Sequence, residues 1–333
     1  ARFEDRQVRT LLESDYLLGV YDQHRMGALR FKTDPEGPFL DDHQSLAAPP
    51  WASLRELEHA SLRLEKQGVE NDPSYAKWLM MLIAPGGSLG GARPKASVVD
   101  ENKHPWIAKF PSISDAMDIG AWEMVVHKLA LDAKINSATG KIKKFNSRHH
   151  TFLSKRFDRT AQGERIHFAS AMTLLQRNDG DSAFDGASYL ELAQFIICNG
   201  FQSDQDLEQL WRRIVFYICV SNVDDHLRNH GFIFQPSKGW KLSPAFDINP
   251  VVVGNGLTLN ISETDNAQDL NLARDVAGFF RIKKQKADDI ITDVVNAVKP
   301  WRRTASSLGI SQQEQNQMAR AFRIADLAAG NQG

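Results

Sequence analysis

The order of apolar and polar positions changes character near Phe157, and the change predicts two parts of different build. In the first part, "LLGVY" (17–21) and "GALRF" (27–31) flank a polar turn and predict a hairpin. "SLRELEHASLRLEKQG" (53–68) predicts a helix: Ser53 and Glu56 have capping-box spacing, Leu54, Leu57 and Leu64 share a face, and Gly68 ends it. "DPSYAKWLMMLIA" predicts another, with Asp72 as N-cap and Pro73 in its first turn. A loop of four glycines (86–91) then leads into the β-branched run "KASVV", followed by the strand "PWIAKF" (105–110). Helical spacing of Trp122, Val125, Val126 and Leu129 comes next, and then two strand candidates, "GKIKKF" and "TFLSKRF".

After Phe157 helical periods dominate. "SYLELAQFIICNG" and "DLEQLWRRIVFYICVSN" predict helices, the second apolar on most faces and therefore central. "GFIF", the turn "QPSKG" and "WKLS" predict a hairpin that delivers "PAFDINP" (244–250), and further helices are expected over 267–279, 283–298 and 311–327.

Chemistry-bearing residues fall in an order along this frame. Gly86, Gly87, Gly90 and Gly91 permit close backbone approach, as in loops that aim N–H groups at phosphate. No G-K-[ST] follows them and they lead into a strand, so neither the Walker nor the dinucleotide fingerprint is met. Lys109 lies within the apolar "WIAKF", where an ammonium needs a partner or a route to solvent. It can snorkel from an edge strand or hold phosphate with Glu123 as its carboxylate partner.

"SNVDDHLRNHGFIF" (221–234) packs polar groups between the most apolar helix and an apolar strand. It can be a polar surface loop, a metal site through His226 and His230, or a phosphotransfer loop with Asp224 as base and Asn229 as magnesium ligand. Asp247, placed after a hairpin where kinases carry a metal-binding aspartate, favours the third. Glycine loop, strand lysine, helix glutamate, D-x-x-x-x-N and post-hairpin aspartate form an ordered set, whereas any one of them alone is common.

Composition narrows the field without deciding it. With 40 basic and 41 acidic residues there is no global field for nucleic acid or an anionic membrane. The local basic run "KIKK" and the "RHH" after it are expected to be a solvated face. Cys198 and Cys219 both sit in apolar stretches and are expected to be buried free thiols. No apolar run has the length of a membrane span.

"GGSLGGARPKA", "WIAKFPS", "DIGAWE", "RFDR", "IHFASAMTLL", "SNVDDHLRNHGF" and "LSPAFDINP" together resemble the HipA-type serine/threonine kinases, toxins of bacterial type II toxin–antitoxin systems. The resemblance runs from about residue 15 to about residue 300. It implies an α+β, two-lobed protein-kinase-like fold, with a β-rich N-lobe over 1–157, a mostly helical C-lobe over 158–333, and ATP in the cleft between them.

By the same resemblance Asp224 is the catalytic base, His226 orients the loop, and Asn229 and Asp247 hold Mg²⁺. Lys109, partnered by Glu123, contacts the phosphates, and the backbone of Lys155, Arg156 and Phe157 is the adenine hinge. Ser88, with Gly90 and Gly91 in the nucleotide loop, is the site of self-inactivating autophosphorylation.

Implied partners are a helix-turn-helix antitoxin, DNA only through that antitoxin, and a protein substrate such as an aminoacyl-tRNA synthetase, all in a bacterial cytoplasm with no membrane. Two other readings stand beside this one: a kinase-like module that docks an antitoxin as co-repressor, and a small-molecule or lipid kinase. Long family members carry a further N-terminal subdomain, and the resemblance implies that this chain begins after it. Arg228 stands where many relatives have Lys, which keeps the charge.

Overall fold

The computed structural model describes residues 10, 12–40, 48–86 and 93–330. The chain divides into two compact units, one of residues 1–120 with 141–165 and the other of residues 121–140 with 166–333.

The first unit begins with helix α1 (Glu13–Leu18), followed by a 3-10 turn, Asp22–His24. The hairpin expected over 17–31 does not form. Its first strand begins inside α1, with Leu17 O and Val20 O bonded to Arg25, and the carbonyls of its turn are taken by guanidinium groups from far along the chain. Arg156 Nη1 donates to His24 O at 2.8 Å and Arg156 Nη2 to Arg25 O at 3.1 Å. Arg159 donates to Gln23 O at 3.3 Å and to Gly27 O at 3.4 Å, and Arg165 donates to Asp22 O. The Gly27 N–H in turn donates to Asp158 Oδ2 at 2.8 Å.

Asp158 is fully buried, with Arg156 and Arg159 each 2.6 Å from its Oδ2. Burial alone would raise its pKa, but the Arg156 hydrogen bonds and the Arg156 and Arg159 charges outweigh that and hold it below the usual carboxylate range.

Helix α2 (Leu54–Leu64) and helix α3 (Tyr75–Gly86) follow. The Ser53 cap is absent: Ser53 ends a 3-10 turn, Trp51–Ser53, its backbone is already helical, and its side chain accepts no capping bond. Asp72 Oδ1 accepts from Ser74 N at 2.8 Å just before α3.

Strands β1 (Lys95–Val99), β2 (Pro105–Lys109), β3 (Gly140–Lys143) and β4 (Thr151–Lys155) make a sheet in the order β1-β2-β4-β3. β2 pairs antiparallel with both β1 and β4. Leu54, Leu57, Ala96, Val98, Trp106, Ala108, Phe110 and Leu153 form the core beneath it. Glu58, buried in α2, accepts from Thr151 Oγ1 at 2.7 Å and from the N–H groups of Asn146 and Ser147, so α2 is tied to the β3–β4 connection. Lys141 and Lys143 are exposed as expected, and their ammoniums lie over Trp51.

Helix α4 (Ile119–Asp132) carries the chain into the second unit, with Trp122, Val125, Val126 and Leu129 all buried. There β5 (Phe168–Ser170) leads into helix α5 (Ala171–Leu174), then α6 (Tyr189–Asn199) and α7 (Ser203–Val220). α6 is closed by a capping box of Ser188 and Glu191.

Every residue of α7 from Leu210 to Val220 is buried, which fits its apolar faces and makes it the central helix of this unit. β6 (Gly231–Gln235) and β7 (Gly239–Leu242) form the expected hairpin, and β5, which the periodicity did not predict, joins it in the order β5-β6-β7.

Helices α8 (Leu270–Asp275), α9 (Lys284–Val298), α10 (Trp301–Ser307), α11 (Gln312–Met318) and α12 (Arg323–Gly330) complete the described chain. The single helix expected over 311–327 is broken by a 3-10 turn at Ala319–Phe322. There Phe322 stacks on Trp301 with ring centroids 4.3 Å apart. Cys219 is buried as expected, and burial pushes its thiol up to about 12. Cys198 is exposed, on the α6 face opposite Leu192, Ala193 and Ile196.

Asp158→Ala leaves Arg156 and Arg159 without their carboxylate and is expected to destabilise the first unit by about 3–5 kcal/mol in denaturant unfolding. The wild-type contribution of Asp158 also has a pH signature. It is complete above the unfolded-state value of about 3.9. It is lost as pH falls from there through the lowered folded value, so the stability gap between wild type and Asp158→Ala narrows in acid.

Candidate active site

The apolar helix α7 ends at Ser221, which has a left-handed backbone with φ +50°. That turn reverses the chain into the 221–230 loop, and the loop is built by its own backbone. His226 N donates to Asp224 O at 3.2 Å, and Asn229 N donates to His226 O at 2.8 Å. The Asn229 side-chain Nδ2 also donates to Asp224 O at 3.1 Å, which joins both ends of the D-x-x-x-x-N interval at one carbonyl. The loop is fixed from outside by Ala171 N on His230 O and Met172 N on Leu227 O, at the start of α5.

Neighbouring residues of this loop have opposite environments. Asp224 and Arg228 are exposed; Asp225, Leu227, Asn229 and His230 are buried. Asp225 and His230 are 1% and 0% accessible. They bond to each other, His230 Nε2 to Asp225 Oδ2 at 2.6 Å, and Tyr189 of α6 donates its hydroxyl to the same oxygen at 2.7 Å. Burial and then the Asp225 carboxylate raise the Tyr189 pKa well above that of a free tyrosine, so the hydroxyl stays a donor.

His226 was expected to brace the loop with its ring. Its ring Nδ1 is buried without a hydrogen-bond partner, its Nε2 lies 3.5 Å from Arg228 of the same loop, and its backbone bonds to Asp224 and Asn229. The alternative of a metal site through His226 and His230 loses a ligand: His230 Nε2 is committed to Asp225, and among the described residues no three His, Cys, Asp or Glu side chains converge.

Asp247 lies past β7 in the same unit, and its backbone is left-handed, φ +57°. Its loop is registered on the 221–230 loop through asparagines. Asn222 Oδ1 accepts from Asn249 N at 2.9 Å, Asn249 Nδ2 donates to Asp247 Oδ1 at 2.9 Å, and Val251 N donates to Ser221 O at 3.0 Å. Arg213 of α7 holds the strand leading there, with Nη2 on Ser243 O at 2.6 Å.

Asn229 and Asp247 offer hard oxygen donors. Because the Asn229 Nδ2 is turned to Asp224 O, the amide oxygen is the atom left for a cation. A small number of protein oxygens, with water and phosphate completing the shell, is how Mg²⁺ is usually held, so donors of this type suit that ion.

Asp224 and His226 line a cavity of about 190 Å³ with Met172, Asp179, Arg228 and Thr258. Arg228 is ion-paired with Asp179 across it.

In the first unit Lys109 closes β2, which is an interior strand and not the edge strand that snorkelling would need. It is registered between Lys95 of β1 and Phe152 of β4, with Nζ 5.7 Å from the Phe152 ring centroid. Of the three residues expected to form the hinge, Arg156 is committed to the sheet and to Asp158: its N–H donates to Pro105 O at 3.0 Å and its side chain is buried. By strand alternation the backbone groups of Lys155 face the other edge of β4, on the side of β3, and Phe157 lies in a bend past the strand's end. Glu123 is buried on α4, in the second unit. Ser88, Gly90 and Gly91 lie outside the described residues.

The fold is of a known type. It matches a chain of the Shewanella oneidensis MR-1 toxin–antitoxin complex of HipA, HipB and operator DNA with a TM-score of 0.57 at 16% identity, over 72% of this chain and 63% of that one. This is an α+β, protein-kinase-like fold. Residues 87–302 match the family model of the HipA-like C-terminal domain, more than half of the chain, and the protein belongs to that family.

A Haemophilus influenzae protein named "Putative kinase" is 24% identical over 180 residues, covering 49% of this chain and 52% of the relative. "Putative kinase Y4dM" of Sinorhizobium fredii is 28% identical over 147 residues, covering 42% of this chain and 34% of the relative. The chain thus spans about half the length of the first of these and about a third of the second. Among the described residues no helix is long and apolar enough to cross a membrane.

Asn222→Ala removes the acceptor of Asn249 N at a position that is 1% accessible. It is expected to cost about 1–3 kcal/mol in thermal unfolding, the cost of one buried donor left unsatisfied. Hydrogen exchange should rise at Asn249 and Val251 and not in α9.

Proposed function

We propose that the protein is an ATP- and Mg²⁺-dependent serine/threonine protein kinase. The reading is carried by one observation. The 221–230 loop exposes Asp224 into a cavity while its neighbours are buried, and the side chain of Asn229, five residues on, is bonded to the Asp224 carbonyl.

Asp224 accepts the proton of the acceptor hydroxyl as it attacks the γ-phosphate, and its exposure lets substrate reach it. Asn229 and Asp247 are the residues to hold Mg²⁺, which when bound neutralises charge on the phosphates. Lys109, from an interior strand, is the phosphate lysine, with Glu123 as its carboxylate partner. The hinge is read over Lys155–Phe157; with the Arg156 N–H used by Pro105, the backbone of Lys155 and Phe157 serves adenine. We place the lobe boundary at 157/158.

Ser88, in a glycine loop with Gly90 and Gly91, is the proposed site of self-inactivating autophosphorylation. A phosphate there adds about two negative charges where ATP phosphates must enter. The fold match to a HipA, HipB and operator complex supports a helix-turn-helix antitoxin as partner, with DNA reached through it. A translation component such as an aminoacyl-tRNA synthetase is the proposed substrate, in the bacterial cytoplasm.

Asp224→Asn is expected to bind MgATP with unchanged affinity and to lose phosphotransfer. Intact mass after incubation with MgATP checks it: wild type gains phosphate at Ser88 and the variant does not. Undiminished Ser88 phosphorylation in Asp224→Asn overturns the assignment of the base. Radiolabel from [γ-³²P]ATP is expected in lysate protein; label found in the lipid extract instead supports a lipid kinase. Failure of wild type to bind nucleotide leaves the co-repressor module.

A further inference from the structure

We propose that Asp225, His230 and Tyr189 are positioning residues that set the distance between the base and the metal-binding amide, a role resting on the phosphotransfer reading above. Asp225 directly follows Asp224, and His230 directly follows Asn229. Their 2.6 Å bond therefore closes the loop one residue beyond each functional side chain.

Closure of this kind uses no atom of Asp224 or Asn229. The base keeps its exposed carboxylate, and the amide keeps the oxygen that a cation needs. The bond is also dry. Asp225 and His230 are 1% and 0% accessible and Tyr189 is fully buried, so no water competes for Asp225 Oδ2. In such surroundings a hydrogen bond is stronger than in water, and losing it leaves a costly unpaired group.

Tyr189 adds a reference point outside the loop. It is the first residue of α6, its N–H is held by Asn260 O at 3.0 Å, and its ring packs edge-on against the His230 imidazole with centroids 5.7 Å apart. The His230 ring is flanked on another side by Tyr217 of α7, at 6.3 Å. Asp225 is thus bonded to α6 and, through the His230 ring, packed against α7, and the loop cannot shift along α6 without breaking a buried bond.

A purely structural explanation does not account for where the closure falls. Stability alone is served by a buried pair anywhere in the unit, whereas this pair spans the same five-residue interval as Asp224 and Asn229, displaced by one.

The experiment uses the full chain and two readouts. Mn²⁺, as a spectroscopic substitute for Mg²⁺, is titrated by electron paramagnetic resonance in the presence of a non-hydrolysable ATP analogue. Amide hydrogen exchange is followed over 221–231 in metal-free protein. Tyr189→Phe keeps the ring and loses one bond, so it folds even where Asp225→Ala does not.

Both variants are expected to weaken Mn²⁺ binding, by on the order of 10-fold, and to speed exchange over 221–231 while α9 exchanges as in wild type. Asp225→Asn, which keeps an acceptor for Tyr189, should recover part of the affinity. Phosphotransfer should fall with the metal affinity and return partly at high Mg²⁺.

Wild-type Mn²⁺ affinity in Tyr189→Phe and Asp225→Asn, or unchanged exchange over 221–231, overturns the positioning role. Absence of Mn²⁺ and nucleotide binding in wild type overturns the phosphotransfer reading, and with it the functional part of this assignment.

Discussion

A carboxylate removed from water must be surrounded by donors, and in each unit a buried aspartate at a turning point of the chain meets that demand. In the first unit Asp158 collects Arg156, Arg159 and the N–H of Gly27. In the second, Asp225 collects Tyr189 and His230. An unpartnered buried charge costs several kcal/mol, so neither cluster can be loosened piecemeal. Segments distant in sequence are thereby fixed at the places that carry the proposed chemistry: the end of β4 in one unit and the 221–230 loop in the other.

Backbone geometry follows from the same constraint. Ser221 and Asp247 both have left-handed conformations that L-residues rarely adopt, and they stand at the start of the proposed catalytic loop and at the proposed metal aspartate. Such conformations persist where surrounding bonds over-determine them. Here those bonds are the Asn222–Asn249–Asp247 chain and the Val251–Ser221 contact. Asp tolerates the left-handed region better than most residues, so the same side chain suits both the backbone and a cation.

Legibility in the sequence tracked the range of the deciding interactions. β1, β2, α4, α6, α7 and the β6–β7 hairpin were readable because periodicity and turn residues are local signals. The hairpin over 17–31 was misread because its first strand begins inside α1 and its turn carbonyls belong to Arg156 and Arg159, more than a hundred residues on. No local pattern reports such a competitor. "RFDR" was noticed as a motif, yet its side chains stitch the N-terminal segment to the sheet, a role that spacing does not encode. At the candidate site, the types and order of Asp224, Asn229 and Asp247 were legible. The environment of the residues between and beside them was not, because burial is set by α5, α6 and α7.

The pair Asp224–Asp225 shows how narrow that margin is. The two residues are chemically identical and adjacent, and the sequence contains no term that separates them except position relative to Asn229. Burial separates them decisively: the first is exposed to a cavity and the second is sealed against Tyr189 and His230. A general base must reach its substrate and shed its proton to solvent afterwards, which a carboxylate with two buried donors on one oxygen cannot do. A brace must do the opposite, and only a residue shielded from water can hold a loop with two hydrogen bonds. The turn at 223–225 thus places one carboxylate outward, for the proposed chemistry, and the next inward, for support. Sliding the loop by one residue would exchange the two environments and remove both roles at once. That is why the lock on its register lies in the residues that the polar motif alone made least conspicuous.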